Sequence, residues 1–333
     1  MALCCGPNNY FLVMQIEPFA VRVKTLTWEA PGIVSVDLRP LEGNVLPPFT
    51  AGAHVDLHLP TGLVRSYSLL NPQSERHRYV IAVQRDRASR GGSLWVHDKL
   101  GVGDVIKISP PRNNFALIED APRTILIAGG IGITPILGMV RQLDALGRPW
   151  QLHYCARTRA GAAFIDELQT LAANGRGAVQ FNFDEEPGGA MLDLAAVVAA
   201  APGDAHLYCC GPSPMLQAFE AATTGVTPAR VHVEYFTAKA PPATAGGFVV
   251  VLAKKGIEVK VDPGVSIINA LFRAGVDHPS SCLEGVCGAC ETPVLEGIPD
   301  HRDLVLTESE HRANRTMMIC CSGSKSDRLV LDI

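Results

Sequence analysis

Short runs of alternating apolar and polar residues open the chain: AVRVKTLTWE, IVSVDLRPL, HVDLHLP, VRSYSLL, RYVIAVQR and DVIKISPP, each ended by turn residues. Alternation with period two predicts half-buried strands, and their even spacing predicts an antiparallel β-barrel. Near NNFALIEDAPR (113–123) the rhythm changes. TILIAGG, WQLHYCAR, AVQFNFD and AHLYCCG read as short buried strands, and helical stretches such as ITPILGMVRQLDALG and AGAAFIDELQTLAANG alternate with them. That order predicts a parallel α/β sheet. AKAPPATAGG (238–247) has few side chains able to build a core and reads as a linker. Beyond it, FVVVLAKKGIEVKV predicts two strands joined by a Lys-Gly turn, and SIINALFRAG predicts a helix stopped at glycine. The expected organisation is therefore multidomain: a β-barrel over 1–120, an α/β domain over 121–237, the linker, and a small α+β ferredoxin-like (β-grasp) unit over 248–333. Residues Met1 to Asn9 show no period and are expected to fray, with Met14 a conceivable alternative start.

Composition narrows the class. Hydrophobic residues make up 47% and charged residues 19%, so sizeable cores can form. A net charge of −4 gives no electrostatic reason to expect a nucleic acid. The apolar run Tyr10 to Met14 is short for a secretory signal and lacks a basic leader. The most apolar stretch, Thr124 to Val140, is broken by glycines and falls short of a bilayer span. A cytoplasmic, membrane-free, monomeric protein is expected. In that reducing setting ten cysteines suggest metal ligation or buried thiols rather than disulfides.

The segment CLEGVCGAC (282–290) carries the strongest chemical signal. Structural zinc sites pair cysteines as C-x2-C, with a second such pair later. Cys282, Cys287 and Cys290 instead follow C-x4-C-x2-C, and a distant cysteine completes the plant-type [2Fe–2S] spacing. Small neighbours (Gly285, Gly288, Ala289) allow backbone N–H groups to approach the sulfurs. Cys320 and Cys321 are adjacent, and in an extended segment only one can face the cluster. Spacing leaves that choice open. A cluster carries one electron at a time and needs a donor.

Five further stretches offer one. In RSYSLLN (65–71), Arg65 can neutralise a phosphate, Tyr67 can stack on a flat ring and Ser68 can hydrogen-bond a ring edge. In SRGGSLWVHDKLGVGD (89–104), Gly91, Gly92 and Ser93 precede or open a helix whose free N–H groups suit an anion. In LIAGGIGITP (126–135), Gly129, Gly130 and Gly132 permit a tight turn near a diphosphate, and Thr134 could reach a bound ring. In YCCGPSPM (208–215), Cys210, Gly211 and Pro212 end a strand at the carboxyl edge, where α/β sheets bind ligands. No base for the Cys210 thiol is evident, so shape and soft packing are its expected contribution. In VHVEYF (231–236), Phe236 could lie over a flavin or simply plug a domain junction. The ten histidines show no pairing suited to a metal triad and read as surface or packing residues.

In their order, these stretches resemble the phthalate dioxygenase reductase family, the one-chain reductases of Rieske-type aromatic oxygenases. The resemblance runs from about residue 15 to the C-terminus. It implies that Arg65, Tyr67 and Ser68 hold FMN, and that Gly91, Gly92 and Ser93 hold its phosphate. It implies NADH between Gly129–Pro135 and Cys210–Met215, with Thr134, Cys210 and Phe236 beside the reacting rings. It also implies Cys320 as the fourth ligand, after Cys282, Cys287 and Cys290. Electrons would pass from NADH through FMN and the [2Fe–2S] cluster to a Rieske-type ring-hydroxylating or O-demethylating oxygenase, docked transiently. Two positions depart from the family: Gly323, where arginine is frequent, and Cys321, where a valine-like residue is usual. An FAD-containing reductase of a diiron monooxygenase and a non-enzymatic redox sensor are the alternatives, the first disfavoured by domain order. Arg157 and Arg159 would suit NADPH and Asp184, Glu185 and Glu186 would repel it; the resemblance favours NADH.

Overall fold

The computed structural model describes residues 17–333 apart from Asn44, Arg87 and Ala88; the amino-terminal tail and Met14 lie outside the described residues. Strands β1 (Phe19–Ala30), β2 (Ile33–Pro40), β3 (His54–His58), β4 (Val64–Ser68), β5 (Tyr79–Gln84) and β6 (Val105–Ile108) form one antiparallel sheet in the order β4-β3-β6-β1-β2-β5. Register shifts in the β1–β2 ladder at Val23/Thr25 and Trp28/Ala30 bend it. The sheet curls until β4 and β5 approach each other, and no ladder closes that seam among the described residues. Val21, Val23, Val36, Leu38, Val55, Leu57 and Ile81 fill its interior. Helix α1 (Gly92–Asp98) adds Val96 to that core, with Trp95 packed against it.

The second sheet is wholly parallel. β7 (Thr124–Gly129), β8 (Trp150–Ala156), β9 (Gly177–Phe183), β10 (His206–Cys210) and β11 (Val231–Glu234) run in the order β11-β10-β7-β8-β9. Helices α2 (Ile133–Ala145) and α3 (Ile165–Asn174) alternate with the strands, as do α4 (Leu194–Ala200) and α5 (Ser213–Ala222). β7 is buried on both faces, which explains its unbroken apolar run. Leu126 and Ala128 face a core that continues through Ile136 and Met139 of α2 into Ala51, Leu70 and Phe115 of the first unit. The shared core seats the curled sheet against the parallel one.

In the third unit, β12 (Phe248–Leu252), β13 (Ile257–Val261), β14 (Glu291–Glu296), β16 (Thr316–Met318) and β18 (Arg328–Leu331) form a mixed sheet ordered β13-β12-β18-β14-β16. β15 (Pro299–Asp300) pairs with β17 (Gly323–Ser324), α6 (Ile267–Arg273) packs its buried face on the sheet, and α7 (Glu308–Ala313) follows the β15 loop. The segment 238–247 is pinned to this unit. The Ala243 N–H donates to the Cys321 carbonyl at 2.7 Å, and the Gly247 N–H to the Val261 carbonyl at 2.8 Å. This accounts for Gly323: a Cβ there would lie 2.9 Å from the Ala243 Cβ, so the passing segment leaves no room for a side chain.

Candidate functional site

Pairing of Leu57 with Arg65 and of Val55 with Tyr67 puts Arg65 and Tyr67 on one face of β4. That face lines a cleft of about 290 Å³ where all three units meet. Ser68, Thr134, Glu234 and Phe236 line it too, and so do Cys282 and Cys287 of the cysteine loop. Arg65 donates from Nη1 to the Val64 carbonyl at 2.8 Å. Burial, then the Arg90 charge, lowers the Arg65 pKa, so the guanidinium sits where an anion would relieve it. Burial pushes the Tyr67 hydroxyl up to about 12 and keeps it a neutral donor. Gly91 caps α1 in the left-handed region (φ 100°). A Cβ on Gly92 would fall 2.7 Å from the Arg65 Cγ, so glycine lets Arg65 cross the helix start. Gly92 packs behind Arg65; Gly91, Gly92 and Ser93 are not among the residues lining the cleft, and the Ser93 hydroxyl accepts the Asp86 N–H at 3.1 Å.

At the carboxyl edge of the parallel sheet two loops interlock. A Cβ on Gly132 would collide with the Cys210 carbonyl, so the turn after β7 can pack on the Cys210–Gly211–Pro212 turn only as glycine. Gly129 and Gly130 complete that turn, and Thr134 donates from Oγ1 to the Ile131 carbonyl at 3.0 Å. Phe236 is 39% exposed within the cleft. The expectation that no base stands near Cys210 needs correcting. Its Sγ donates to Glu234 Oε2 at 3.8 Å. Burial raises Glu234 to about 8, and burial followed by the Glu234 charge raises the Cys210 thiol well above its usual value. Both shifts favour the protonated forms, and the Cys210 side chain is fully buried while Glu234 lines the cleft. The one visible signal for Glu234 was a carboxylate ending the apolar strand VHVEYF.

The four-cysteine set is close-knit. Cys282 lies within hydrogen-bonding reach of Cys287 and Cys320, and Cys290 of Cys320, all of them buried. Contact with Cys282, then burial, pushes the Cys287 thiol up; contact with Cys320, then burial, does the same for Cys290. Such crowded thiols can ionise together only around a cation. The Glu284 N–H reaches the Cys282 sulfur at 3.3 Å. Cys321 turns the other way, its thiol donating toward the Met318 carbonyl at 3.7 Å beside Gly285.

The loop is held against the curled sheet by residues the sequence did not single out. The Cys287 carbonyl accepts from Asn114 Nδ2 at 3.1 Å and from Arg112 Nε at 3.4 Å. Arg90 pairs with Glu284 at 2.8 Å, and the Ser66 and Ser281 hydroxyls meet at 3.4 Å. Arg112 also pairs with buried Asp56 at 2.6 Å. Burial alone would raise the Asp56 carboxyl, but Arg112 with the Ser66 hydrogen bond outweighs it and holds it below the ordinary value. Burial, then Arg112, lowers His54 to about 4.

At the far end of the parallel sheet, Arg157 pairs with Glu185 at 3.4 Å. The Arg159 N–H donates to Glu186 at 2.6 Å, and its guanidinium lies 5.8 Å from the ring centroids of Phe181 and Phe183. Among the histidines, the structure brings His301 and His311 together around Asp303, against the expectation of no metal-suited pairing.

Comparison with known proteins agrees with this layout. Residues 126–221 match the oxidoreductase NAD-binding domain family, and residues 250–324 match the 2Fe-2S iron-sulfur cluster binding domain family. The chain is 56% identical over 318 residues to the phenoxybenzoate dioxygenase subunit beta of Ectopseudomonas oleovorans, covering 96% of this chain and 98% of that one. The crystal structure of an intact type IV self-sufficient cytochrome P450 monooxygenase superposes with a TM-score of 0.86 at 38% identity; the match covers 95% of this chain but only 41% of that longer one. Phthalate dioxygenase reductase, described as a modular structure for electron transfer from pyridine nucleotides to [2Fe-2S], superposes with a TM-score of 0.70 at 38% identity, over 95% and 98% of the two chains. With a curled sheet, a parallel sheet and a cysteine-bearing β-grasp unit converging on one cleft, and with likeness along nearly its whole length, the chain belongs to the phthalate dioxygenase reductase family.

Proposed function

We propose that the chain is the reductase component of a Rieske-type aromatic ring-hydroxylating or O-demethylating oxygenase, taking electrons from NADH and delivering them singly to that partner. One observation carries the reading: the cleft that Arg65, Tyr67, Glu234 and Phe236 line is also lined by Cys282 and Cys287. When bound there, NADH supplies hydride, FMN takes two electrons and can release them one at a time, and a [2Fe–2S] cluster carries one.

The residues divide the work. Arg65, backed by Gly91, Gly92 and Ser93, meets the FMN phosphate charge; Tyr67 and Ser68 offer a ring face and a hydrogen-bonding edge. Gly129, Gly130 and Gly132 with Gly211 and Pro212 shape the nicotinamide approach, with Thr134 at its wall. Phe236 shields the cleft from water. Glu234 keeps its carboxyl proton and Cys210 its thiol proton, so the floor carries no negative charge against an incoming electron-rich ring. Cys282, Cys287, Cys290 and Cys320 ligate the cluster. Asn114 and Arg112, by gripping the Cys287 carbonyl, keep the ligand loop against the flavin unit and hold the electron path short. No helix among the described residues is long and apolar enough to cross a membrane. A cytoplasmic monomer that docks transiently with its oxygenase completes the reading. Flavin extraction should yield FMN, and NADH should drive cytochrome c reduction that requires the cluster. FAD in the extract, or no NADH-dependent reduction, would contradict it.

A further inference from the structure

Between β15 and α7 lies a second set of ligand-type side chains. The Asp303 side chain is fully buried. Its Oδ2 accepts the Leu306 N–H at 2.9 Å and the Val305 N–H at 3.3 Å, which fixes the carboxylate and leaves Oδ1 facing two imidazoles. His311 Nε2 is 3.2 Å from that oxygen and His301 Nδ1 is 3.7 Å from it. The two rings stack with centroids 4.4 Å apart. All three donor atoms lie within 4.8 Å of one another.

The His301 ring is the telling part. Its Nε2 sits 3.2 Å from Asn314 Oδ1, an acceptor, so Nε2 carries the proton. In the neutral ring Nδ1 is then a bare lone pair. It is buried, has no hydrogen-bond partner, and faces a carboxylate oxygen. In the neutral ring this lone pair faces the carboxylate oxygen in a buried place, and a cation held between them and His311 Nε2 would satisfy all three.

We propose that His301, Asp303 and His311 bind a borderline divalent transition-metal ion of the Zn²⁺ type. Bonds of about 2.0–2.2 Å in a tetrahedral set put neighbouring ligand atoms about 3.3–3.6 Å apart, against the observed 3.2 and 3.7 Å to Asp303 Oδ1, with the two imidazole nitrogens within 4.8 Å of each other. Two imidazoles with one carboxylate select such a metal over Mg²⁺ or Ca²⁺, which take oxygen ligands. Outer partners are already in place: Asn314 orients His301, and backbone N–H groups orient Asp303. His311 is partly exposed, so a fourth position opens to water. The site adjoins the cluster loop, since the Leu304 N–H donates to the Gly285 carbonyl at 2.9 Å.

The test is Zn²⁺ titration of the flavin- and iron-loaded protein against a chromophoric chelator. One Zn²⁺ per chain should bind, with an affinity that falls at least about tenfold in His311→Gln and is unmoved by millimolar Mg²⁺. His206→Gln, which breaks the separate His206–His232 contact, should bind as the parent does. Zinc-edge absorption spectroscopy should show nitrogen and oxygen ligands only. Absence of saturable binding, unchanged affinity in His311→Gln, loss in His206→Gln, or a zinc–sulfur shell would each overturn the proposal. His311 is a surface position, so its variant is expected to keep the parent's flavin and iron content.

Discussion

Replacing Arg112 with alanine should separate what holds the cluster loop from what performs the chemistry. The substitution removes the only ion-pair partner that Asp56 has among the described residues, and the Asp56 side chain is 4% exposed. Orphaning one member of a buried pair costs about 3–5 kcal/mol; Arg112 is itself 30% exposed, and solvent screening on its side brings the expectation to about 2–3 kcal/mol. The pH dependence follows from the same group. In the parent, Arg112 and Ser66 hold Asp56 below its ordinary 3.8, so its stabilising contribution is present above that value and is lost as the pH falls through the lower folded one. Without Arg112, burial dominates and lifts the folded pKa above the unfolded value. The variant then loses stability as the pH rises between the two. The gap between parent and variant should be small near pH 4 and reach its full size by pH 8. Urea unfolding followed by flavin release measures it at both pH values. Rapid mixing with NADH adds a second readout: flavin reduction should keep its rate while transfer onward to the cluster slows, because the Cys287 carbonyl has lost one of its partners. A gap under about 1 kcal/mol at pH 8, or one equal at both pH values, would refute the reasoning.

Other residues give independent checks. Arg65→Ala should weaken FMN binding at least about tenfold, since a charge-assisted bond contributes about 1.5–3 kcal/mol; full FMN content after dialysis would count against the phosphate assignment. Glu234, raised to about 8, holds a proton in the folded state that the unfolded chain releases near 4.5, so the parent should lose stability between those values more steeply than Glu234→Gln; parallel melting profiles would discount the buried acid. With Arg157 paired to Glu185, the Arg159 guanidinium lying over Phe181 and Phe183, and Glu186 held beside it, NADH should exceed NADPH by at least about tenfold in kcat/KM, roughly 1.4 kcal/mol. Equal efficiencies would show both arginines free to meet a 2′-phosphate.

Local patterns were the legible part of this chain. Alternation of period two, short buried strands between helices, and C-x4-C-x2-C each express themselves within a few residues, and the order of the three units followed from them. Long-range packing was not legible. Arg112 and Asn114 lie in a stretch with no period, and they matter only because the curled sheet brings them to the Cys287 carbonyl. Glu234 looked like an ordinary strand-end acid until burial beside Cys210 gave it a raised pKa. VHVEYF, read in the sequence mainly for Phe236, forms the fifth parallel strand, β11. The neighbours Cys320 and Cys321 could not be told apart by spacing, yet their surroundings differ: one joins the other three thiols, the other turns to Met318. His301 and His311 are separated by a loop and a helix turn, so no local motif announces their meeting at Asp303.

Electrons from NADH should reach a cluster held by Cys282, Cys287, Cys290 and Cys320. Anaerobic reduction with NADH followed by low-temperature electron paramagnetic resonance tests it most directly, on the parent and on Cys320→Ala and Cys321→Ala. The parent and Cys321→Ala should each give one reduced [2Fe–2S] signal per chain, and Cys320→Ala should give none while its flavin still bleaches. A signal that survives in Cys320→Ala, or a parent whose flavin bleaches without any cluster signal, would contradict the account.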